Sequence, residues 1–231
     1  MKRIGLIGGI GPASTIEYYK LIIKLFKERV STDEYPEFLL HSINMTEMLD
    51  LVFQDRLEDL VELLKQRIQV LEASGVHCVA LASNTPHLVF DQLAEAVQVE
   101  LISIVEATCQ YIAPTGIQKV GLLGTQSTMS KGFYQTVGQR YQLDIVIPPA
   151  EHQRFVHEKY MKELVFNQIN PHTKQRLLQI VHEMERDEAI EGIILGGTEL
   201  PLILQQEDFD RIKVFDTTFI HVQAILDRMM T

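Results

Sequence analysis

Four short segments gather the polar side chains of this chain that could do chemistry. They are Gly8-Gly9-Ile10-Gly11-Pro12-Ala13-Ser14-Thr15, Ser83-Asn84-Thr85-Pro86-His87, Gly124-Thr125-Gln126-Ser127-Thr128-Met129 and Gly196-Gly197-Thr198-Glu199-Leu200-Pro201. Glu199 stands directly after the apolar run Ile193-Ile194-Leu195, where partial desolvation raises a carboxylate pKa and suits it to general-base work. His87 is the only histidine in any of the four and has the same chemistry available from another loop. Ser83, Asn84 and Thr85 offer hydroxyls and an amide that either cap a helix or contact a ligand. Thr125 and Thr128 carry the same two readings, as does Thr198 beside Glu199. Gly9 lies in a glycine turn that opens a helix, so its N–H either faces an anion or simply lets the helix pack on the strand.

These segments need elements to hold them. Short β-branched runs alternate with amphipathic stretches, which predicts βα units on a mainly parallel sheet. Strands are expected over 3–7, 38–43, 77–82, 101–104, 119–123, 144–147, 192–195 and 213–215. Helices are expected over 14–30, 56–73, 86–96, 105–112, 131–141, 155–167, 173–186 and 219–229. On the second helix Leu57, Leu60, Val61, Leu64, Ile68 and Leu71 form one apolar face.

Half the chain repeats. Ile4-Gly5-Leu6-Ile7-Gly8-Gly9 matches Val120-Gly121-Leu122-Leu123-Gly124-Thr125, and Val79-Ala80-Leu81-Ala82-Ser83-Asn84 matches Ile193-Ile194-Leu195-Gly196-Gly197-Thr198. The fold class expected is therefore α/β, two pseudo-symmetric lobes with mainly parallel sheets flanked by helices. Residues 1–104 plus 218–231 form the first and 105–217 the second. Ligands of such sheets gather beyond the carboxyl ends of the strands, so one site in a cleft between the lobes is expected.

Composition narrows the partners. Thirty-one acidic residues against 21 Lys and Arg give a formal charge of -10, which repels phosphate backbones and anionic bilayers. Nucleic acid and membrane are excluded as partners, leaving small molecules. No stretch approaches the roughly 20 apolar residues of a membrane span, and Ile4-Gly5-Leu6-Ile7 is too brief for a signal peptide, so a cytoplasmic protein is expected. Cys78 and Cys109 have no metal-ligand spacing, and the eight histidines are scattered, so no metal is expected. A dinucleotide is not expected either: the third glycine of its motif is Ser14 here, and the second strand ends in His41-Ser42-Ile43-Asn44 without an acid.

The combination of Gly8-Gly9-Ile10-Gly11-Pro12, Asn84-Thr85-Pro86-His87, Leu123-Gly124-Thr125 with Thr128-Met129, and Gly197-Thr198-Glu199-Leu200-Pro201 resembles the aspartate/glutamate racemase family over essentially the whole chain. The resemblance implies an isomerase of small amino acids or related carboxylic acids that uses neither pyridoxal phosphate nor any other cofactor and forms a homodimer. It also implies a mechanism of two opposed thiols, one per lobe, which remove and return the α-proton. In the family pattern these precede Asn-Thr and Thr-Glu. This sequence has Ser83 and Gly197 there. A serine hydroxyl is a far weaker acid than a thiol, and glycine has no group to transfer a proton. Cys78 lies five residues before Ser83 on one strand, roughly 16 Å away at about 3.3 Å per residue, and cannot substitute. Cys109 falls in a predicted helix as a small core residue.

By motif position, the resemblance assigns Asn84, Thr85 and Thr198 to the substrate, with Gly9, Thr125 and Thr128 closing the pocket. Ser83, Glu199 and His87 are the remaining candidates for proton transfer. Three functions stay open: an altered isomerase working through Glu199 with Ser83 or His87, a non-catalytic protein that binds a small amino or carboxylic acid, and a different lyase or hydrolase on the same fold.

Overall fold

The computed structural model describes residues 1–31 and 33–231. The chain divides into two compact units, Met1–Ile104 with His221–Thr231, and Val105–Ile220.

Unit 1 runs β1 (Ile4–Gly8), α1 (Pro12–Arg29), β2 (Phe38–Ser42), α2 (Met45–Phe53), α3 (Leu57–Ala73), β3 (Cys78–Leu81), α4 (Phe90–Ala96) and β4 (Glu100–Ile102). All four strands are parallel, in the order β2-β1-β3-β4. The central strands β1 and β3 are buried along their whole length, because helices cover both faces and leave no face for polar residues. The α3 face set by Leu60, Leu64, Ile68 and Leu71 joins Ile7, Val79 and Leu81 in the core, to which α2 adds Met48 and Val52.

Unit 2 repeats the plan. It contains α5 (Ile104–Ile112, whose first residue belongs to unit 1), β5 (Lys119–Gly124), α6 (Gln126–Ser130), α7 (Phe133–Arg140), β6 (Asp144–Val146), α8 (Ala150–Lys162), α9 (Pro171–Glu188), β7 (Gly192–Gly196) and β8 (Lys213–Asp216). The strand order β6-β5-β7-β8 is that of unit 1 with every strand advanced by four, so the half-chain repeat is one topology used twice. Its core holds Leu123, Val156, Leu177, Ile180, Val181, Ile193 and Leu195. The last helix, α10 (Thr217–Met230), is capped by Asp216, whose Oδ1 accepts the N–H of Thr218 at 2.8 Å and of Phe219 at 3.1 Å.

All eight predicted strands exist, each within two residues of its expected ends. The helices differ more. Met45–Phe53 and Gln126–Ser130 are helices beyond those expected. The segment read as a helix over 86–96 opens as a 3₁₀ turn, Thr85–Val89, before α4. The helix expected over 155–167 is α8, shifted toward the N-terminus. Pro149 precedes its first turn with φ -53, while Asn167 in the left-handed region (φ 57) ends the 3₁₀ turn that follows it. That shift puts Gln153, His157 and Tyr160 at i, i+4 and i+7 of one helix, hence on one face.

Candidate functional site

At the carboxyl end of β1 the chain turns through Gly9 (φ 82) and Gly11 (φ 89) into α1, whose first residue is Pro12. The backbone N–H of Gly9 donates to Thr15 Oγ1 at 2.8 Å, and Ser14 Oγ and Thr15 Oγ1 donate to the Gly11 carbonyl at 2.9 and 3.1 Å. A Cβ on Gly9 would come within 2.4 Å of the Ile43 carbonyl oxygen. The turn thus lies against the segment after β2, and Gly9 spends its donor inside the protein.

Beyond β3, Ser83, Asn84 and Thr85 are all buried. The N–H of Ala82 still bonds Ile7 O at 2.8 Å, which carries the strand direction into the loop. Asn84, the residue before the 3₁₀ turn, makes no side-chain cap bond, so its amide is not used as helix punctuation. His87 has both ring nitrogens engaged: Nδ1 bonds Ser83 O at 2.9 Å, and Nε2 accepts the N–H of Ile104 at 3.1 Å. That pair of partners fixes the neutral tautomer with the proton on Nδ1. The ring stacks on Phe90, and burial, reinforced by His221, pushes its pKa down to about 3. His221 is bracketed the same way, by the Tyr18 hydroxyl on Nδ1 at 2.8 Å and Ile102 O on Nε2 at 3.0 Å, with burial lowering its pKa to about 4. In this geometry His87 is a strut between the β3 loop and the end of β4 and has no nitrogen left for a substrate proton.

In unit 2, Thr125 caps α6: its hydroxyl accepts the N–H of Thr128 at 3.2 Å and lies 3.0 Å from Thr128 Oγ1. Thr128 is fully buried against the strand ends. A Cβ on Gly124 would lie 2.7 Å from Gly196 O and 2.9 Å from Thr128 Cγ2, and one on Gly196 would lie 2.7 Å from Leu122 Cδ1, so glycines end β5 and β7 here. The amide of Gln126 donates to Gln153 Oε1 at 3.1 Å, and its backbone N–H donates to His157 Nδ1 at 3.2 Å, so α8 lies over the β5 turn.

One helical turn further, Tyr160 reaches the end of β7. Its hydroxyl donates to Glu199 Oε2, and Thr198 Oγ1 donates to the same oxygen at 2.8 Å. The Glu199 N–H in turn supports the phenol oxygen. Glu199 is 1% exposed. Burial, with the Glu199 carboxylate next to it, raises the phenol pKa well above its ordinary value. Gly197 sits under the same ring: a Cβ there would lie 2.4 Å from Tyr160 Cε2 and 3.1 Å from Cζ. Tyr160 and His157 were not singled out by sequence. Their only signal is helical spacing from Gln153, which is visible once α8 has its true start.

Both cysteines are buried in apolar surroundings. Desolvation raises Cys78 to about 11, with Glu100 adding to it, and raises Cys109 to about 12, with Glu106 adding to it. Among the described residues no three His, Cys, Asp or Glu side chains come together to hold a metal ion, and no helix is long and apolar enough to cross a membrane. A surface cavity of about 370 Å³ in unit 1, lined by Lys2, Arg3, Tyr35, Glu37 and His77, lies by the amino ends of β1 and β3 and contains none of the candidate residues.

Two parallel α/β units of one topology, with polar side chains collected past the carboxyl ends of their central strands, define a protein of the class that takes ligands at strand ends. The model of the Asp/Glu/Hydantoin racemase family matches residues 7–225, and the chain belongs to that family. The chain is 32% identical over 141 residues to the broad specificity amino-acid racemase RacX of Bacillus subtilis strain 168, a match covering 58% of this chain and 59% of RacX. It therefore aligns with about three fifths of that relative's length. Among solved structures, an aspartate racemase homologue from Pyrococcus horikoshii OT3 is 35% identical with a TM-score of 0.87, and a candidate Asp/Glu racemase from Yersinia pestis is 30% identical with a TM-score of 0.91. Each match covers all of both chains.

Proposed function

We propose that this protein binds a small amino acid or a closely related carboxylic acid at its strand ends and does not racemise it by the two-thiol route. The observation that carries this reading is the state of the two cysteines: both are buried and both are shifted away from the thiolate, to about 11 and about 12. A thiol must ionise to act as a base, so neither supplies one near neutral pH. The family pattern puts its thiols at Ser83 and Gly197, which lack them. Binding is supported by Asn84 and Thr85, buried polar residues at the end of β3, and by Thr198 at the end of β7, whose hydroxyl gives its proton to Glu199 and keeps its oxygen as an acceptor. The relatives' descriptions as aspartate, glutamate and broad specificity amino-acid racemases supply the ligand class. Gly9, Thr125, Thr128 and His87 serve as framework in this reading, and the protein is read as a cytoplasmic homodimer.

Calorimetric titration with alanine, aspartate, glutamate and their oxo-acid counterparts, paired with solvent-deuterium exchange at the α-carbon, tests it. Saturable binding without exchange above a protein-free control is expected. The reading is overturned if no acid binds, or if exchange occurs and disappears in the Cys78→Ala/Cys109→Ala variant.

A further inference from the structure

The end of β7 carries a glycine that its backbone does not require. Gly197 is not among the residues of positive φ, so a side chain is excluded only by what stands next to it, and that is the ring of Tyr160. The ring is held through its hydroxyl, which is fixed on Glu199 Oε2 and supported by the Glu199 N–H, while Thr198 donates to the same carboxylate oxygen and steadies it. The helix that delivers it is itself pinned one and two turns earlier, through His157 and Gln153 to Gln126. Buried groups hydrogen-bonded to one another in this way restrain one another. A ring so held is a wall, not a mobile side chain.

We propose that Tyr160 is the specificity-determining residue of unit 2. Latched by Glu199 and Thr198, it occupies the space that a side chain at position 197 or the longer arm of a ligand would otherwise fill, and so limits the acid accepted at this strand end to a short one. The proposal deepens the function proposed above and rests on it for the ligand. Its steric half stands independently. Glu199 is a positioning residue here: it acts through Tyr160, and both the phenol and Thr198 spend their protons on it.

Two measurements on the full-length protein test this. The first needs no ligand. Gly197→Ala in the native background should lower the urea midpoint, because its methyl meets the ring at 2.4 Å. In a Tyr160→Leu background, which ends short of Cε2, the same Gly197→Ala change should raise the midpoint by partly filling the vacated space. Tyr160→Phe is the control that keeps the ring, and there Gly197→Ala should still lower the midpoint. Equal effects of Gly197→Ala in all three backgrounds overturn the steric claim.

The second measurement compares dissociation constants for alanine, 2-aminobutyrate and norvaline, which differ in length and not in charge. Tyr160→Leu should improve norvaline relative to alanine by roughly tenfold, the worth of one or two methylenes in a pocket, while Tyr160→Phe leaves the ratio within about threefold of native. An unchanged ratio in Tyr160→Leu, with native binding intact, overturns the specificity claim. If the native protein binds none of the three, the failure is that of the proposed function, and the urea comparison still decides whether Tyr160 walls off position 197.

Discussion

Acidification should unfold this protein through two histidines that its fold keeps neutral. His87 and His221 have folded pKa values of about 3 and about 4, against an ordinary value near 6.5. Because the folded values are depressed, the stabilisation is complete above pH 6.5. It drains away as pH falls, while the unfolded ring takes up a proton that the folded ring refuses. At pH 5 the unfolded imidazole is almost fully protonated and the folded ones are not, so each histidine costs the fold about 2 kcal/mol relative to pH 8, about 4 kcal/mol for the pair. Asp216 works the other way: burial raises its pKa, so protonating it as pH falls returns some stability, in the range just above its ordinary value. Urea unfolding at fixed protein concentration at pH 8, 7, 6 and 5 gives the measurement. A slope approaching two protons near pH 5 is expected in the native protein. In His87→Asn/His221→Asn, which starts less stable for the hydrogen bonds it loses, it should shrink to the smaller share of His157, whose pKa partial burial also lowers. A native stability flat to within about 1 kcal/mol from pH 8 to 5, or the same loss in the double variant, refutes the reasoning.

Gly9→Ala should cost at least about 2 kcal/mol in urea unfolding, since alanine must adopt φ 82 and its methyl would lie 2.4 Å from the Ile43 carbonyl oxygen. Thr125→Ala removes the cap of α6 and should cost about 1 kcal/mol by the same assay, whereas Thr125→Ser should restore most of it. Neither cysteine should react with a disulfide thiol reagent on the timescale on which a model thiol is consumed, and both should titrate promptly in 8 M urea, about as fast as a free thiol. A fast-reacting equivalent in the native protein would contradict the burial of Cys78 and Cys109.

The strands were legible because their signal is local. Runs such as Val79-Ala80-Leu81 and Ile193-Ile194-Leu195 are apolar without alternation, as strands covered on both faces must be. The repeat then gave both units one topology. What stayed hidden was written in single residues or across distance. Met45–Phe53 is a helix of 9 residues that starts at its Asn44 cap just past β2, shorter than the window in which a helical period declares itself. His87 looked like an acid or base because its loop was the right one. Its two partners, Ser83 O and the Ile104 N–H, are backbone groups that no side-chain pattern announces. Tyr160 is 37 positions from Gly197, and nothing local to either residue says that a ring fills the space of a missing side chain.

Gly9 and Gly197 read alike in a sequence, as glycines at strand ends, yet the physics behind them is opposite. Gly9 is required by its own backbone, in the left-handed region with a carbonyl and an amide of the neighbouring segment against it. No substitution elsewhere relieves that, because the obstructing atoms are main chain. Gly197 is required by one side chain, and trimming that side chain removes the requirement. The test that separates the two cases is compensation: a second-site change at 160 should rescue a side chain at 197, while no side-chain change around Ser42 and Ile43 should rescue one at 9. A glycine that can be compensated belongs to a pair of positions that change together. On that argument the bare residue at 197 and the tyrosine above it are one feature of this protein, and a thiol returned to 197 without altering Tyr160 should leave the protein destabilised and still unable to exchange an α-proton.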